Sequence, residues 1–304
     1  MITAADRSAL ETALGAAVRF DVPMARHTSL RVGGNADAFA TPTDREALTR
    51  TLRVCQERGV PHTVLGAGFN TLIRDGGIEG VVLQLSRMRA LKAEGHGKLR
   101  AEAGASHHRI TKYCVSEGLS GLEFGAGIPG TVGGWVAMNA GVPERETSDA
   151  LCEAELLDAT GDPLRMSCAE LEFEYRAARG LPNGAVIVSA LFSVTDLAPA
   201  DVQTEVGRQL ARRAGRQPLD VPSCGSVFKN PPGDHAGRLI DASGLKGLRV
   251  GGAEITEVHA NFIANRGGAT AADILELIAR ASAAVRERSG IELETEVCIK
   301  GRDS

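Results

Sequence analysis

The sequence predicts an α+β protein that holds a ligand against glycine-rich loops. Helix-like and strand-like hydrophobic patterns follow one another without a fixed repeat, which argues against solenoids and low-complexity tails. Glycine accounts for 36 of the 304 residues, well above the usual fraction of roughly 7%, and it occurs in clusters. Such clusters mark places where the backbone takes unusual angles or lies directly against another group.

Composition limits the partners that this chain can bind. A length of 304 residues with 43% hydrophobic content allows two domains, each with its own core. The net charge of -4 comes from interspersed charges of both signs, so we expect neither a nucleic-acid partner nor a membrane partner. No apolar run reaches the 18 or so residues that a membrane span needs.

The cysteines and histidines argue against disulfides and metals. The six cysteines form no C-x-x-C pair and no signal peptide precedes them, so we expect reduced thiols in a cytoplasmic protein. His107 and His108 are adjacent, which is not the spacing of two metal ligands on one helix face. We therefore predict no metal site.

The most glycine-rich stretch is GAGIPGTVGGWVAMNAG, residues 125–141. Its first six letters fit the G-x-G-x-x-G of a Rossmann turn, but Gly133 and Gly134 would then fall inside the following helix. No clean apolar strand runs into Gly125 either. A cofactor loop of another type is favoured, with the Rossmann turn and a purely structural loop as the alternatives.

A second loop, GAGFN at residues 66–70, follows a predicted strand at residues 62–65. A strand that runs into a glycine turn presents backbone N–H groups to a phosphate, although a plain β-turn has the same pattern. We expect both loops to bind one elongated cofactor.

The first half of the chain contains the other elements of an α+β region. A helix is expected at 5–18, and Thr43 with Glu46 reads as the capping box of a second helix that ends near Gly59. A third helix is expected at 106–117, and strands are expected at 80–85, 98–102, 152–158 and 185–194.

The second half begins after a proline-containing stretch at 196–205, which has the composition of a linker. A helix to about residue 215 follows, and its arginines are typical of a solvated face. Proline turns then surround Ser226, and a β segment is expected at 250–265. An amphipathic helix at 271–287 precedes a strand at 291–300, whose apolar and polar residues alternate.

These segments together resemble the UDP-N-acetylenolpyruvoylglucosamine reductases, specifically the shorter second type of the family. The likeness covers nearly the whole chain and rests on motifs in order: HTSLRVGG, LGAGFNTLIRDGG, GLEFGAGIPGTVGGWVAMNAG, FEYR, the RQP to FKNP block, AGRLIDASGLKGLRVGGAEITEVHANFIAN and LETEV. Three positions depart from the family pattern: His27 replaces Asn, Phe69 replaces Ser, and Ala178 stands where Ser is common. The backbone donors around Phe69 remain, so we expect cofactor binding to survive.

The resemblance implies an FAD-binding domain of the vanillyl-alcohol-oxidase/PCMH type and a C-terminal α+β substrate-binding domain. The first would span residues 1–198 as two subdomains split near 80–90, with residues 291–304 returning to it, and the second would span 199–290. FAD would be bound non-covalently by Gly66, Ala67, Gly68, Phe69, Asn70, Thr71, Gly127, Ile128, Pro129, Gly130, Thr131, Gly133, Gly134 and Asn139.

The resemblance also implies the chemistry. NADPH would reduce the flavin, which would then pass hydride to the enolpyruvyl ether of a UDP-sugar, on the path to peptidoglycan precursors. Ser226 would donate the proton, and Arg176 and Glu296 would stabilise the enolised carboxylate. Glu296 would do so either as a protonated carboxyl or by holding another donor in place, because an ionised carboxylate would repel the growing charge. Arg216, Lys229 and Asn230 are candidate substrate contacts. Two alternatives remain open: an FAD-dependent oxidase of alcohols or sugars, and a flavin-binding module without catalysis.

Overall fold

The computed structural model describes residues 2–214, 217, 218 and 220–303. The described chain forms two compact units. Unit 1 contains the residues up to Phe20, Ala38–Ala67 and Gly80–Arg213, and unit 2 contains Asp21–Asp37, Gly68–Glu79 and the residues from Ala214 onward. This division does not define which residues bind cofactor and which bind substrate. The cofactor domain at 1–198 and the substrate domain at 199–290 therefore stay a prediction.

The helices near residues 4–14, 45–58, 107–117, 199–214 and 271–289 lie close to the positions expected from sequence, whereas the short helices at 132–137 and 236–242 were not predicted. Their bounds are α1 (Ala4–Leu14), α2 (Arg45–Arg58), α3 (His107–Glu117), α4 (Val132–Ala137), α5 (Pro199–Ala214), α6 (Ala236–Ala242) and α7 (Ala271–Ser289).

The strands form several small sheets and one larger one. Their bounds are β1 (Val18–Pro23), β2 (Asn35–Ala40), β3 (His62–Val64), β4 (Thr71–Ile73), β5 (Ile78–Leu83), β6 (Leu91–Gly95), β7 (Lys98–Glu102), β8 (Leu119–Ser120), β9 (Gly141–Val142), β10 (Arg145–Glu146), β11 (Leu151–Leu157), β12 (Pro163–Ser167), β13 (Phe173–Glu174), β14 (Ala177–Ala178), β15 (Val186–Ser193), β16 (Thr195–Asp196), β17 (Arg249–Val250), β18 (Ala253–Ile255), β19 (Ile263–Asn265) and β20 (Cys298–Lys300).

The larger sheet belongs to unit 1 and has the order β12–β11–β15–β7–β6, antiparallel throughout. A four-stranded sheet has the order β1–β2–β5–β3, in which β3 pairs with β5 in parallel. The core of unit 1 contains fully buried Phe192 and Trp135 together with Leu48 and Leu52 of α2. Because Leu48 and Leu52 are four residues apart, one face of α2 packs into this core.

The start of α2 corrects the expected capping box. The N-cap is Asp44, whose carboxylate accepts a hydrogen bond from the backbone N–H of Ala47 at 2.8 Å. Thr43 supports the cap by donating its hydroxyl to Asp44 at 2.8 Å. A carboxylate caps better here because it also interacts favourably with the positive end of the helix dipole.

Unit 2 is built around α7, the three-stranded antiparallel sheet β17–β18–β19 and the parallel pair β4–β20. Helix α7 begins at a capping box formed by Thr270 and Asp273. Its buried residues include Ile274, Leu277 and Ile278, at the spacing of one helix face, as the amphipathic pattern predicted.

Three further elements differ from their sequence expectations. The supposed linker at 196–205 forms β16 and the start of α5, because proline is well tolerated in the first turn of a helix. The strand expected at 291–300 is regular only over Cys298–Lys300, although Leu293 and Val297 are buried as the alternation suggested. The β segment at 250–265 is divided between β17, β18 and β19.

The described part of the chain contains neither a helix that could span a membrane nor a cluster that could bind a metal ion. No helix there is long and apolar enough to cross a bilayer. Within the same residues, no group of three His, Cys, Asp or Glu side chains is arranged to hold a metal ion.

Candidate functional site

The glycine-rich loop at 125–134 lies in unit 1 and is anchored to the residues after β7. Val132 N–H donates to Ala105 O at 3.0 Å, and Gly133 N–H donates to Ala103 O at 2.9 Å. Gly125 packs directly against the ring of Trp135, where no side chain would fit. The loop follows a 3₁₀ turn at Glu123–Gly125, and α4 begins within it at Val132. No strand leads directly into the loop, so the Rossmann alternative is not supported by the local structure.

The glycines of this loop have different roles. Gly130 has a φ of +118°, and a Cβ added there would meet no heavy atom within 4 Å. A Cβ on Gly134 would meet only the Thr131 hydroxyl, at 3.9 Å. By contrast, a Cβ on Gly133 would lie 3.2 Å from the Cβ of Ala103. The backbone is therefore open for a ligand at Gly130 and Gly134, whereas Gly133 is a close packing contact inside the protein.

The second loop begins beside the first. Leu65 N–H donates to Leu83 O at 2.9 Å, and Gly66 O accepts from the Gln84 amide at 3.0 Å. A Cβ on Gly66 would stand 3.1 Å from the Thr131 hydroxyl oxygen. Gly66 and Ala67 thus adjoin the residues around Thr131 within unit 1, which fits an extended cofactor that contacts both loops.

The rest of the second loop, Gly68 to Thr71, is part of unit 2. Gly68 lies against the backbone carbonyl of His27, and its own carbonyl accepts from Ser29 N–H at 3.0 Å. Phe69 is 41% exposed, so this ring, which stands where the family has Ser, is not part of the core. Thr71 opens strand β4.

Asn139 is buried, and its side chain is almost fully engaged by the protein. Its amide nitrogen donates to the Glu146 carboxylate at 2.7 Å and to Glu174 O at 3.2 Å. Its amide oxygen accepts from Ser148 N–H at 3.0 Å. Since both amide hydrogens are used, a cofactor contact by this side chain would be limited to the oxygen, and its cofactor role stays a prediction.

Arg176 lies in the turn of the β13–β14 hairpin of unit 1, with a φ of +59°. Its Nη1 donates to the Glu146 carboxylate at 3.2 Å, and its Nη2 donates to Gly141 O at 3.3 Å. The guanidinium also lies over the Tyr175 ring, 4.8 Å from the centroid. The side chain is 17% exposed, so this arginine is held in place and is not a freely solvated surface residue.

Arg213 was missed by the sequence interpretation, which treated the arginines of α5 as a solvated face. Burial lowers the pKa of Arg213, and the positive charge of Arg176 lowers it further. Two guanidinium groups near each other in unit 1 favour an anionic ligand. A signal was present in the sequence: Val202, Val206 and Gln209 are buried, and position 213 continues the same helical stripe.

Ser226 and Glu296 lie on neighbouring segments of unit 2. Glu296 N–H donates to Val227 O at 2.8 Å, and Phe228 forms a bridge with Thr295. The Asn70 side chain donates to Glu296 O at 3.1 Å, which ties the second loop to the same segment. The structure therefore brings these two predicted catalytic positions together, and both are half-buried.

Asn261 positions the Ser226 segment and was not assigned a role from sequence. Its buried side chain accepts from Phe228 N–H at 2.9 Å and donates to Phe228 O at 2.8 Å. An amide that pairs with both groups of one residue fixes an irregular segment as a neighbouring strand would. An Asn between the apolar residues Ala260 and Phe262 is the sequence signal that could have found it.

The predicted substrate contacts have protein partners of their own. Lys229 Nζ is paired with Glu294 at 2.6 Å, and the Asn230 amide oxygen accepts from Ala236 N–H at 3.1 Å. Arg216 lies outside the described residues. These assignments stay predictions.

Comparison with known proteins defines first the class of this protein. Residues 36–167 match the FAD binding domain family, and residues 217–300 match the C-terminal domain family of UDP-N-acetylenolpyruvoylglucosamine reductase. A solved variant of berberine bridge enzyme, described as a reticuline dehydrogenase, has a TM-score of 0.52 at 15% identity over 64% of this chain and 44% of its own, which shows the fold alone. The protein is an FAD-containing oxidoreductase with an α+β fold and a flavin-binding domain of the vanillyl-alcohol-oxidase/PCMH type.

The family follows from nearer relatives. UDP-N-acetylenolpyruvoylglucosamine reductase from Geobacter metallireducens is 46% identical over 93% of this chain and 94% of its own length. The relative of the same name from Anaeromyxobacter sp. is 47% identical over 97% of this chain and 92% of its own. The solved enzyme from Thermus caldophilus has a TM-score of 0.81 at 36% identity and covers 93% of this chain and 99% of its own. The chain belongs to the UDP-N-acetylenolpyruvoylglucosamine reductase family.

Proposed function

We propose that this chain reduces UDP-N-acetylglucosamine enolpyruvate to UDP-N-acetylmuramate with NADPH, through non-covalently bound FAD, in peptidoglycan precursor synthesis. The observation that carries the proposal is the 46% identity to a reductase of this name over 93% of the chain, which includes both units. A cytoplasmic location is proposed with it, since all six cysteines are free thiols.

The residues present fit FAD. The backbone is open at Gly130 and Gly134, and Gly66 adjoins Thr131, so two loops offer backbone groups to one cofactor. Neither the 66–71 segment nor the 125–134 loop contains a cysteine or histidine that could form a covalent link. When bound, FAD supplies hydride-transfer chemistry between NADPH and the enolpyruvyl group.

Arg176 is proposed to stabilise the charge that develops on the substrate. Addition of hydride to the enolpyruvyl methylene carbon moves the electron pair of the double bond toward the carbon that bears the carboxylate. The carboxylate gains charge, and a fixed guanidinium can match it with two parallel hydrogen bonds. Arg176 is already held by Glu146 and Gly141, so little reorganisation is needed during the reaction.

Ser226 is proposed to complete the addition. Its hydroxyl proton goes to the carbon next to the carboxylate, so one hydride and one proton are added across the double bond. Glu296 is proposed to assist from the neighbouring segment, where its backbone N–H is hydrogen-bonded to Val227 O, either by donating a carboxyl proton to the enolised carboxylate or by holding another donor in place. Lys229, Asn230 and Arg216 are proposed contacts of the UDP group, and Lys229 would have to exchange its ion pair with Glu294 for a phosphate.

The test uses the purified protein. We expect a flavin spectrum, and we expect NADPH oxidation that accelerates on addition of UDP-N-acetylglucosamine enolpyruvate. If NADPH does not reduce the bound flavin, but alcohols or sugars reduce it and air reoxidises it, the protein is an oxidase. A colourless protein that cannot be reconstituted with FAD would contradict the cofactor assignment.

A further inference from the structure

Glu146 connects Asn139 and Arg176 within unit 1. One carboxylate oxygen, Oε1, accepts from Arg176 Nη1 at 3.2 Å, and the other, Oε2, accepts from Asn139 Nδ2 at 2.7 Å. The backbone N–H of Glu146 donates to Asp149 at 2.8 Å. Glu146 is therefore fixed at its backbone and at both oxygens.

Asn139 provides the rigid end of this arrangement. It is 2% exposed, and its remaining amide hydrogen goes to Glu174 O at 3.2 Å. Glu174 belongs to β13, the strand that leads into the Arg176 turn. The same asparagine thus holds both the carboxylate that contacts Arg176 and the hairpin that carries it.

The negative charge of Glu146 is also electrostatically favourable beside Arg176. The positive charge of Arg176 contributes to the lowered pKa of Arg213, so the two guanidinium groups repel each other. The Glu146 carboxylate offsets that repulsion on the Arg176 side. An arginine side chain has several rotatable bonds, and the Glu146 carboxylate restricts the orientation of the Arg176 guanidinium together with Gly141 O and the Tyr175 ring.

We propose that Glu146 is a positioning residue, which holds the Arg176 guanidinium in the orientation that receives the substrate carboxylate. The inference rests on the proposed function of Arg176. It assigns to Glu146 no contact with substrate, because its oxygens are bonded to Arg176 and Asn139.

The critical variant is Glu146→Gln, which keeps size and shape. Both partners of Glu146 are donors, and glutamine offers one acceptor oxygen and one NH₂ group, so it can accept from Arg176 or from Asn139 but not from both. Misplacement of a catalytic group by about 1 Å can cost on the order of 10²-fold in rate. We expect a slowing of that order in reoxidation of the reduced enzyme by the enolpyruvyl substrate, with flavin reduction by NADPH unchanged within about twofold.

A matched control is Glu144→Gln. Glu144 precedes Glu146 by two residues and is also paired with an arginine, Arg212, at 2.8 Å, but it is 61% exposed and has no bond to Arg176. The same substitution there removes a surface ion pair, which typically contributes little. We expect wild-type rates in both half-reactions.

A double-mutant cycle separates positioning from general support. If Glu146 acts through Arg176, then Glu146→Gln should add little to the defect of Arg176→Lys. A residue with a merely structural role would impose the same additional loss in either background, and it would slow both half-reactions or lower FAD content.

The outcomes are distinct. Selective slowing of reoxidation that disappears in the Arg176→Lys background supports the proposal. Wild-type reoxidation by Glu146→Gln, or equal losses in both backgrounds, overturns it while leaving the proposed function intact. A wild-type protein that does not use the enolpyruvyl substrate would refute the proposed function itself, and this inference with it.

Discussion

Gly66 and Thr131 approach so closely that a Cβ on Gly66 would lie 3.1 Å from the Thr131 hydroxyl oxygen. The two residues belong to the two glycine-rich loops that the sequence singled out. Within unit 1, therefore, the start of the second loop adjoins the first loop, and one ligand can touch Gly66 and the residues around Thr131. The open backbone at Gly130, one residue from Thr131, is then the position where a side chain would most directly exclude that ligand.

Gly130→Val should abolish FAD binding. The φ of +118° strains any β-branched residue, and the added methyl groups would enter the space in front of the loop. The measurement is the ratio of flavin to protein absorbance after purification. Gly95→Val is the matched control, because Gly95 also has a positive φ of +75° and no heavy atom within 4 Å of its Cβ position, but lies at the end of β6. Full flavin occupancy in Gly130→Val would show that the loop is merely structural.

Gly133→Val should lower the stability of the protein and should not block FAD directly as Gly130→Val does, although both glycines lie in one loop. Its side chain would press on Ala103, because a Cβ at position 133 would lie 3.2 Å from the Ala103 Cβ, so the defect is overpacking of the core. Such changes typically cost about 1–3 kcal/mol. We expect a lower melting temperature in the apo and the FAD-bound forms alike. A variant with normal thermal stability but no FAD would place Gly133 on the ligand side instead.

Local features of the fold were readable from sequence because they depend on neighbours along the chain. The helices at 107–117 and 271–289 follow from apolar spacing, and the structure adds N-caps at Ser106 and Thr270. The cap of α2 was misjudged because Thr43 and Asp44 are both good N-caps, and sequence pattern does not decide between adjacent candidates. The segment before Cys298 alternates like a strand but forms one isolated bridge, at Thr295, and irregular backbone hydrogen bonds to residues 227–229, because regular pairing requires a partner that pattern does not supply.

The candidate site was predictable only in part, and for a physical reason. The glycine loops and the Ser226 segment carry their signal in their own residues. The bonds that join Asn139, Glu146 and Arg176 depend on tertiary structure, which brings β10 and the β13–β14 hairpin together. Arg213 could have been recognised from the buried stripe of α5, but its proximity to Arg176 could not.

Arg176→Lys should be far from conservative. A lysine ammonium is a point charge and cannot bond Glu146, Gly141 and a planar carboxylate in the geometry of a guanidinium. We expect turnover with the enolpyruvyl substrate to fall much more than the affinity for NADPH changes, as measured by steady-state kinetics. Arg179→Lys is the control, since Arg179 is 60% exposed and pairs with Glu174 on the same hairpin. Unchanged enolpyruvyl reduction by Arg176→Lys would remove Arg176 from the site.

Cys55, Cys114 and Cys224 should resist alkylation in the native protein. Burial raises the pKa of Cys55 to about 11 and, as the main cause, raises the pKa of Cys114 and of Cys224 to about 12. A raised pKa means less thiolate at every pH below it, so at pH 8 about one thiol in 10³ or fewer is reactive. Iodoacetamide labelling read by mass spectrometry should miss these three until the protein is unfolded in guanidinium, when all six should react. Rapid labelling of Cys224 in native protein would contradict the burial of that thiol.

The Ser226 hydroxyl should be needed in only one of the two half-reactions. Its neighbours Val227 and Phe228 are fixed by Glu296 and Asn261, so Ser226→Ala should remove the hydroxyl without displacing the segment. Flavin reduction by NADPH requires no proton from a serine, and we expect it to proceed at nearly the normal rate in stopped-flow experiments. Ser223→Ala, in the same segment, is the control for loss of a hydroxyl and should match the wild type in both phases.

Reoxidation of Ser226→Ala by the enolpyruvyl substrate should be severely slowed, because the carbon next to the carboxylate must be protonated after hydride addition. Loss of a positioned proton donor typically costs about 10²- to 10⁴-fold, and we expect the upper end since the GSVFKNP segment contains no second hydroxyl. Ser226→Cys should recover part of the rate, as its thiol retains a transferable proton at nearly the same position. Slow flavin reduction with normal reoxidation in Ser226→Ala would show that the serine has another role.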